Sequence, residues 1–188
     1  MPNNKVSSVD TVSSGLVAGT QSGEQMMAMG HFNVQCFDKD GVLKWEESNP
    51  NLVVNVGLQY MCGTALTSVT QITAWYIGLY GAGSTNNPAA SDTLASHAGW
   101  TEITPYSGSR PACTFATATT ANPSVATNSA SKASYTINAT ATVGGAFLCS
   151  AASGTTGTLF SASDFTGGDR SVVSGDTLNV TYTLSLAG

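Results

Sequence analysis

Charge is what this chain has least of. Only 9% of its 188 residues are Asp, Glu, Lys or Arg, against roughly a quarter in an ordinary globular protein. Six are cations and eleven are acids, for a net charge of −5. Neutralising a nucleic-acid backbone takes several clustered Lys and Arg, and these six are scattered, so direct DNA or RNA binding is not expected. Other absences follow. No run approaches the roughly 18 consecutive apolar residues of a membrane helix. Met1 to Gly30 carries one Lys, many Ser and Thr and no apolar core segment, so it does not read as a signal peptide. The chain is expected to fold where it is made.

Metal and cofactor chemistry has few candidate ligands. Two histidines, His31 and His97, and four cysteines, Cys36, Cys62, Cys113 and Cys149, are far apart and form no CxxC pair, so zinc spacing is missing. Each cysteine sits beside apolar residues, which predicts buried free thiols rather than disulfides. His97 lacks a Gly-x-Ser-x-Gly elbow nearby and is expected to make a loop hydrogen bond. Glu46 and Glu47 are adjacent, so on a strand they face opposite sides. Asp164, Asp169 and Asp176 lie in turn-like sequence, where Asp bonds its own backbone. Gly167-Gly168-Asp169-Arg170 precedes a strand and not a helix, so it does not cradle phosphate; Arg170 is expected to pair with a nearby acid or to reach a partner subunit. No catalytic, metal or cofactor residue is predicted, and the reading is of a protein that is not an enzyme.

What is present is alternation. Phe32, Val34 and Cys36 alternate with Asn33 and Gln35, the period of a half-buried strand. Asp38 to Gly41 then reads as a hairpin turn into Val42 to Trp45; it resembles a fragment of a calcium loop but lacks the later acidic ligands. Ser48 to Asn51 reads as a helix start, with Asn49 as cap and Pro50 at the first helical position. Val54, Leu58, Met61 and Ala65 follow at helical spacing. Ile72 to Tyr80 is nearly continuously apolar and predicts a central strand buried on both faces. Arg110 to Thr117 reads as a strand with Cys113 and Phe115 inward. Residues 117–132 read as an exposed excursion. Tyr135 to Val143, a Gly144-Gly145 turn and Ala146 to Cys149 read as a second hairpin. Leu178, Val180, Tyr182, Leu184 and Leu186 alternate with polar residues without exception, and a slip of one residue would put all five in water.

These elements predict a mainly β protein: an antiparallel β-sandwich or jelly roll with one short helix. The expected organisation is an extended N-terminal arm at 1–29 and a β-sandwich domain at 30–188. The arm has no period of 2 or 3.6, yet it carries Leu16 and Val17, and Met26, Met27 and Met29. A purely solvating tail rarely carries such runs. These five residues are the candidate partner contacts, on an arm that lies along a neighbouring subunit. With the C-terminal strand closing the core, attachment is expected from the N-terminal side.

Several segments together carry a resemblance: NLVVNVGLQYM at 51–61, WYIGLY at 75–80, HAGWTEITPY at 97–106, GTTGTLF at 154–160 and GDRSVVSGDTLNVTYTLSL at 168–186. This order of segments resembles small structural proteins of tailed-phage virions, and is similar to the jelly-roll cement or decoration proteins that clamp phage capsids. It spans roughly 31–188. The resemblance implies a non-enzymatic virion protein, made in the host cytoplasm and carried on the capsid exterior. Its expected partners are the major capsid protein and itself, as a dimer or trimer at a symmetry axis; no nucleic acid, membrane or cofactor is implied. The alternative is a phage tail or fibre protein that binds a host surface glycan through exposed Trp45, Trp100 and Tyr106.

Overall fold

In the computed structural model, residues 26–81 and 88–188 are described. β1 (Met27–Phe37) and β2 (Leu43–Val53) form the first hairpin, in the register His31 to Pro50 and Gln35 to Glu46. Its turn forms as the sequence predicts. The Asp38 carboxylate accepts the Asp40 and Val42 N–H groups at 2.9 Å each, and Gly41 takes a positive φ of 79°. Asp38 thus serves the turn, as Asp does in Asx-turns.

β2 runs straight through Ser48–Asn51, where the sequence predicted a helix start. Asn49 is buried inside the strand and accepts the Thr166 N–H and hydroxyl at 2.7 Å. The helix, α1, spans Asn55–Leu66 and has Val54 at its cap without a side-chain bond. Pairing with β1 outweighs the local capping signal, because each strand residue gains a ladder bond that an isolated helical turn does not supply. The helix buries Gly57, where any Cβ would strike the Phe160 carbonyl, and leaves Leu58 and Leu66 exposed. Its packing face is therefore set by close backbone approach rather than by the Leu58 stripe.

The remaining strands are β3 (Tyr76–Gly81), β4 (Glu102–Ile103), β5 (Ser124–Thr127), β6 (Ala133–Thr136), β7 (Ala141–Cys149), β8 (Leu159–Asp164), β9 (Arg170–Val172) and β10 (Thr177–Ala187). The order is β4-β3-β7-β8-β2-β1-β10-β5, with β6 also on β10 and β9 also on β7; the recorded ladders are antiparallel. β2 passes from one layer to the other: its body pairs with β1, and Leu52 and Val53 pair with β8. The two layers enclose the main core. Phe32 and Val34 of β1 and Leu178, Val180 and Tyr182 of β10 meet Ile77 and Leu79 of β3 and Ala146 and Leu148 of β7. A second cluster, Tyr80, Phe147, Leu159, Leu94 and Trp100, lies on the other face of β3 and β7. The described residues thus form the mainly β, antiparallel sandwich with one helix that the alternation predicts.

Several predicted elements are placed differently. β3 starts at Tyr76, and β7 rather than β3 lies deeper in the sheet. Gly144 and Gly145 do not turn the chain; both sit within β7. A side chain at Gly145 would run into the Tyr80 ring and the Ser163 carbonyl, so these glycines permit close strand packing. Arg110 to Thr117 is not a regular strand, though Cys113 is buried and its N–H donates to the Trp75 carbonyl at 2.7 Å. The presumed excursion contains β5, which joins β10. The first strand begins at Met27, so Met27, Ala28 and Met29 belong to β1 and not to an arm.

Candidate partner-binding site

Phe32, Val34 and Cys36 point into the core, so Met27, Met29, His31, Asn33 and Gln35 face the other side of the sheet. Met29 lies opposite Ser185 and Met27 opposite Ala187. Met26, Met27 and Met29 are 69%, 55% and 46% exposed. Exposed Leu52 lies one residue beyond the Gly30–Asn51 pair, at the same end. The alternate residues of β1 and β10 that face outward carry no carboxylate, ammonium or guanidinium. The result is a weakly charged face with a flexible apolar edge. Methionine is unbranched and polarizable, and adapts to an opposing surface. Of the five predicted contacts, the structure brings together Met26, Met27 and Met29. Leu16 and Val17 lie outside the described residues.

A second feature lies outside the sequence expectations. At the same end of the sandwich, between α1 and the inner face of β10, a groove of about 600 Å³ is open. Tyr60, Trp75, Phe115 and Phe160 line it with Leu184 and Leu186. Trp75 meets Tyr60 and Phe160 edge-on, each at 5.4 Å between ring centres. The groove's sequence signal is the apolar run 72–80, whose pattern predicts a strand. Its first residues instead leave the sheet and wall the groove. The last two apolar residues of the C-terminal alternation, Leu184 and Leu186, are half-buried here, whereas Leu178, Val180 and Tyr182 are fully covered.

Four charged pairs among the described residues bond across the fold or at its surface. Arg170 pairs with Glu47, its Nε donating at 2.6 Å, so it reaches across the molecule to β2. Glu46 faces outward and accepts the Asn33 side-chain N–H at 2.6 Å, as adjacent strand positions require. Arg110 is held by Glu102 and by the Ala151 and Gly154 carbonyls at 2.8 Å. Asp176 accepts the Lys44 ammonium at 2.5 Å and the Val173 N–H at 2.9 Å. Burial would raise the Asp176 carboxyl, but these bonds and the Lys44 charge outweigh it and hold it below its ordinary range. Burial pushes the neighbouring Cys36 thiol up to about 11. Tyr80 donates to Asp164, and burial together with that bond raises its phenol far above the ordinary value.

His97 makes the predicted loop hydrogen bond, from Nδ1 to the Trp100 carbonyl at 3.0 Å, and stacks on the Trp100 ring. Two of the three aromatics expected to hold a glycan are not on the surface. Trp100 and Tyr106 are buried, and Trp45 is half-buried against Phe165; Trp100 packs on Tyr80 and Phe147 and Tyr106 on Tyr135, which draws their large apolar area inward. All four cysteines are free, and three are buried as predicted; Cys62 is exposed on α1. Among the described residues no group of three His, Cys, Asp or Glu is placed to hold a metal ion. No described helix is long and apolar enough to cross a membrane.

No protein-family model matches the chain, and no curated protein and no solved structure matches it either.

Proposed function

We propose that this chain is a non-enzymatic structural protein of a phage virion, binding the major capsid protein shell as a cement or decoration protein through the methionine end of β1. The observation that carries the reading is the exposed set Met26, Met27 and Met29, with Leu52 beside it, on a sheet face of low charge. The resemblance of 31–188 to small virion proteins supports it. Docking would take this apolar edge out of water at about 25 cal/mol per Å². A face of about 800 Å² per partner is enough for a stable contact. Two or three copies joined at a capsid symmetry axis would multiply modest contacts through effective concentration.

The test is co-sedimentation of the full chain with emptied phage heads, against Met27→Ser/Met29→Ser. Both side chains stand on the outer face, so the double variant keeps its core. The reading requires that the parent chain pellets with the heads and that the variant stays in the supernatant. A parent chain that never pellets, or a variant that pellets equally, contradicts it.

A further inference from the structure

The groove has walls and a floor. Its floor is Leu184, Leu186 and Ala126, and its walls are Tyr60 and Met61 of α1 with Trp75 and Phe160. No Asp, Glu, Lys, Arg or His lines it. Two of its polar groups are already engaged: the Tyr60 hydroxyl accepts the Ile72 N–H at 2.8 Å, and the Thr64 hydroxyl donates to the Tyr60 carbonyl at 3.0 Å. The fitting occupant is therefore short, apolar and uncharged.

The chain itself holds such a segment, and it enters the fold at the right place. Ala28 pairs with Leu186 and Met27 with Ala187, so β1 begins beside the groove floor. Twenty-five residues precede Met26. Within them Leu16-Val17 is the only adjacent pair of large aliphatic residues, and Gly15 to Ala18 carries no charge. Leu16 lies ten positions before Met26, an extended reach of about 33 Å at ~3.3 Å per residue. That exceeds the whole length of α1, about 18 Å at ~1.5 Å per residue. Gly19 and Gly23 lie in between, and glycine leaves the backbone free to bend. A tethered segment also has a high effective concentration at its own groove compared with a second copy's.

We propose that the groove is the docking site of the chain's own residues 15–18, with Leu16 and Val17 seated between α1 and β10. This stands apart from the capsid reading, which rests on Met26, Met27 and Met29.

The experiment places a nitroxide label on Ser14→Cys in the full chain, with exposed Cys62→Ser to leave one reactive thiol. Methyl resonances of Met61, Leu184 and Leu186 are followed by NMR. Docking predicts that these three lose most of their intensity, and that Leu16→Asp in the same chain restores it. A mixture of labelled chains without isotope and isotope-bearing chains without label should show no loss, because the segment serves its own groove. Undiminished methyl signals in the single-chain sample overturn the proposal. So does equal loss in the mixture, which would make a second copy's segment the occupant.

Discussion

The Arg110 guanidinium meets the Glu102 carboxylate through two parallel hydrogen bonds, from Nε at 2.7 Å and from the terminal nitrogen at 2.6 Å. The guanidinium also lies over the Phe147 ring, 5.2 Å from its centre. With the Ala151 and Gly154 carbonyls and the Cys149 sulfur taking its remaining donors, this one side chain clips β4, the 105–110 loop and the 150–154 loop together. Removing one partner of a buried pair leaves the other charge uncompensated, at a cost of about 3–5 kcal/mol. Glu102→Ala is therefore expected to lower unfolding stability by about 3 kcal/mol, the low end because two carbonyls still hold Arg110. Urea denaturation measures it; a loss below about 1 kcal/mol, the scale of an exposed pair, contradicts the clip.

Acid and alkali should each weaken the fold, for separate reasons. The Asp176 carboxyl is lowered in the folded state, so its contribution is present above the unfolded value and lost as pH falls through the folded one. Asp176→Asn should flatten that acid limb. Burial lifts Tyr106 and Tyr182 to about 12, and Cys113 likewise. The unfolded chain releases these protons first, from thiols at 9.0 and phenols at 10.0, so stability declines as pH climbs from about 9. The Lys44 ammonium, raised chiefly by its Asp176 bond, adds a loss at still higher pH. Denaturation midpoints across pH check both limbs; a stability that rises above pH 9 contradicts the assignment.

Thiol chemistry should be confined to one position. Cys36, Cys113 and Cys149 are buried, and desolvation raises all three. Cys62 alone is exposed. A water-soluble maleimide is expected to add once to the native protein and not at all to Cys62→Ser, as read by intact mass. Rapid addition to a second thiol would contradict the burial of the other three.

The strand glycine Gly145 offers a packing test. Gly145→Ala forces a methyl into the Tyr80 ring and the Ser163 carbonyl, and overpacking of this kind costs about 1–3 kcal/mol. Gly154→Ala meets no atom within 4 Å but sits at a φ of 70°, so its cost is backbone strain alone, about 1 kcal/mol. Thermal melts of the two variants should therefore rank Gly145→Ala as equal or worse.

Period-2 segments were legible because their rule is local. Phe32 to Cys36 and Leu178 to Tyr182 lie in their strands with the predicted faces buried, and the Asp38–Gly41 turn carries its own chemistry. Elements fixed by distant partners were not legible. Asn49 and Pro50 look like a helix start until β1 pairs with them. Gly144-Gly145 looks like a turn until the Tyr80 ring occupies the space a side chain would need. Trp100 looks available for stacking until its Nε1 donates to buried Asp92 at 3.0 Å. The candidate site divides the same way. The methionine run is plain in the sequence, whereas the aromatic groove exists only once α1, β10 and the residues before β3 converge.

The most direct test of the functional account is where the protein sits on a particle. On the proposed reading, gold-labelled antibody to this chain, imaged by electron microscopy on intact phage particles, should decorate the outer capsid surface. Label on the tail or fibres alone, or no label on intact virions, would contradict the capsid reading.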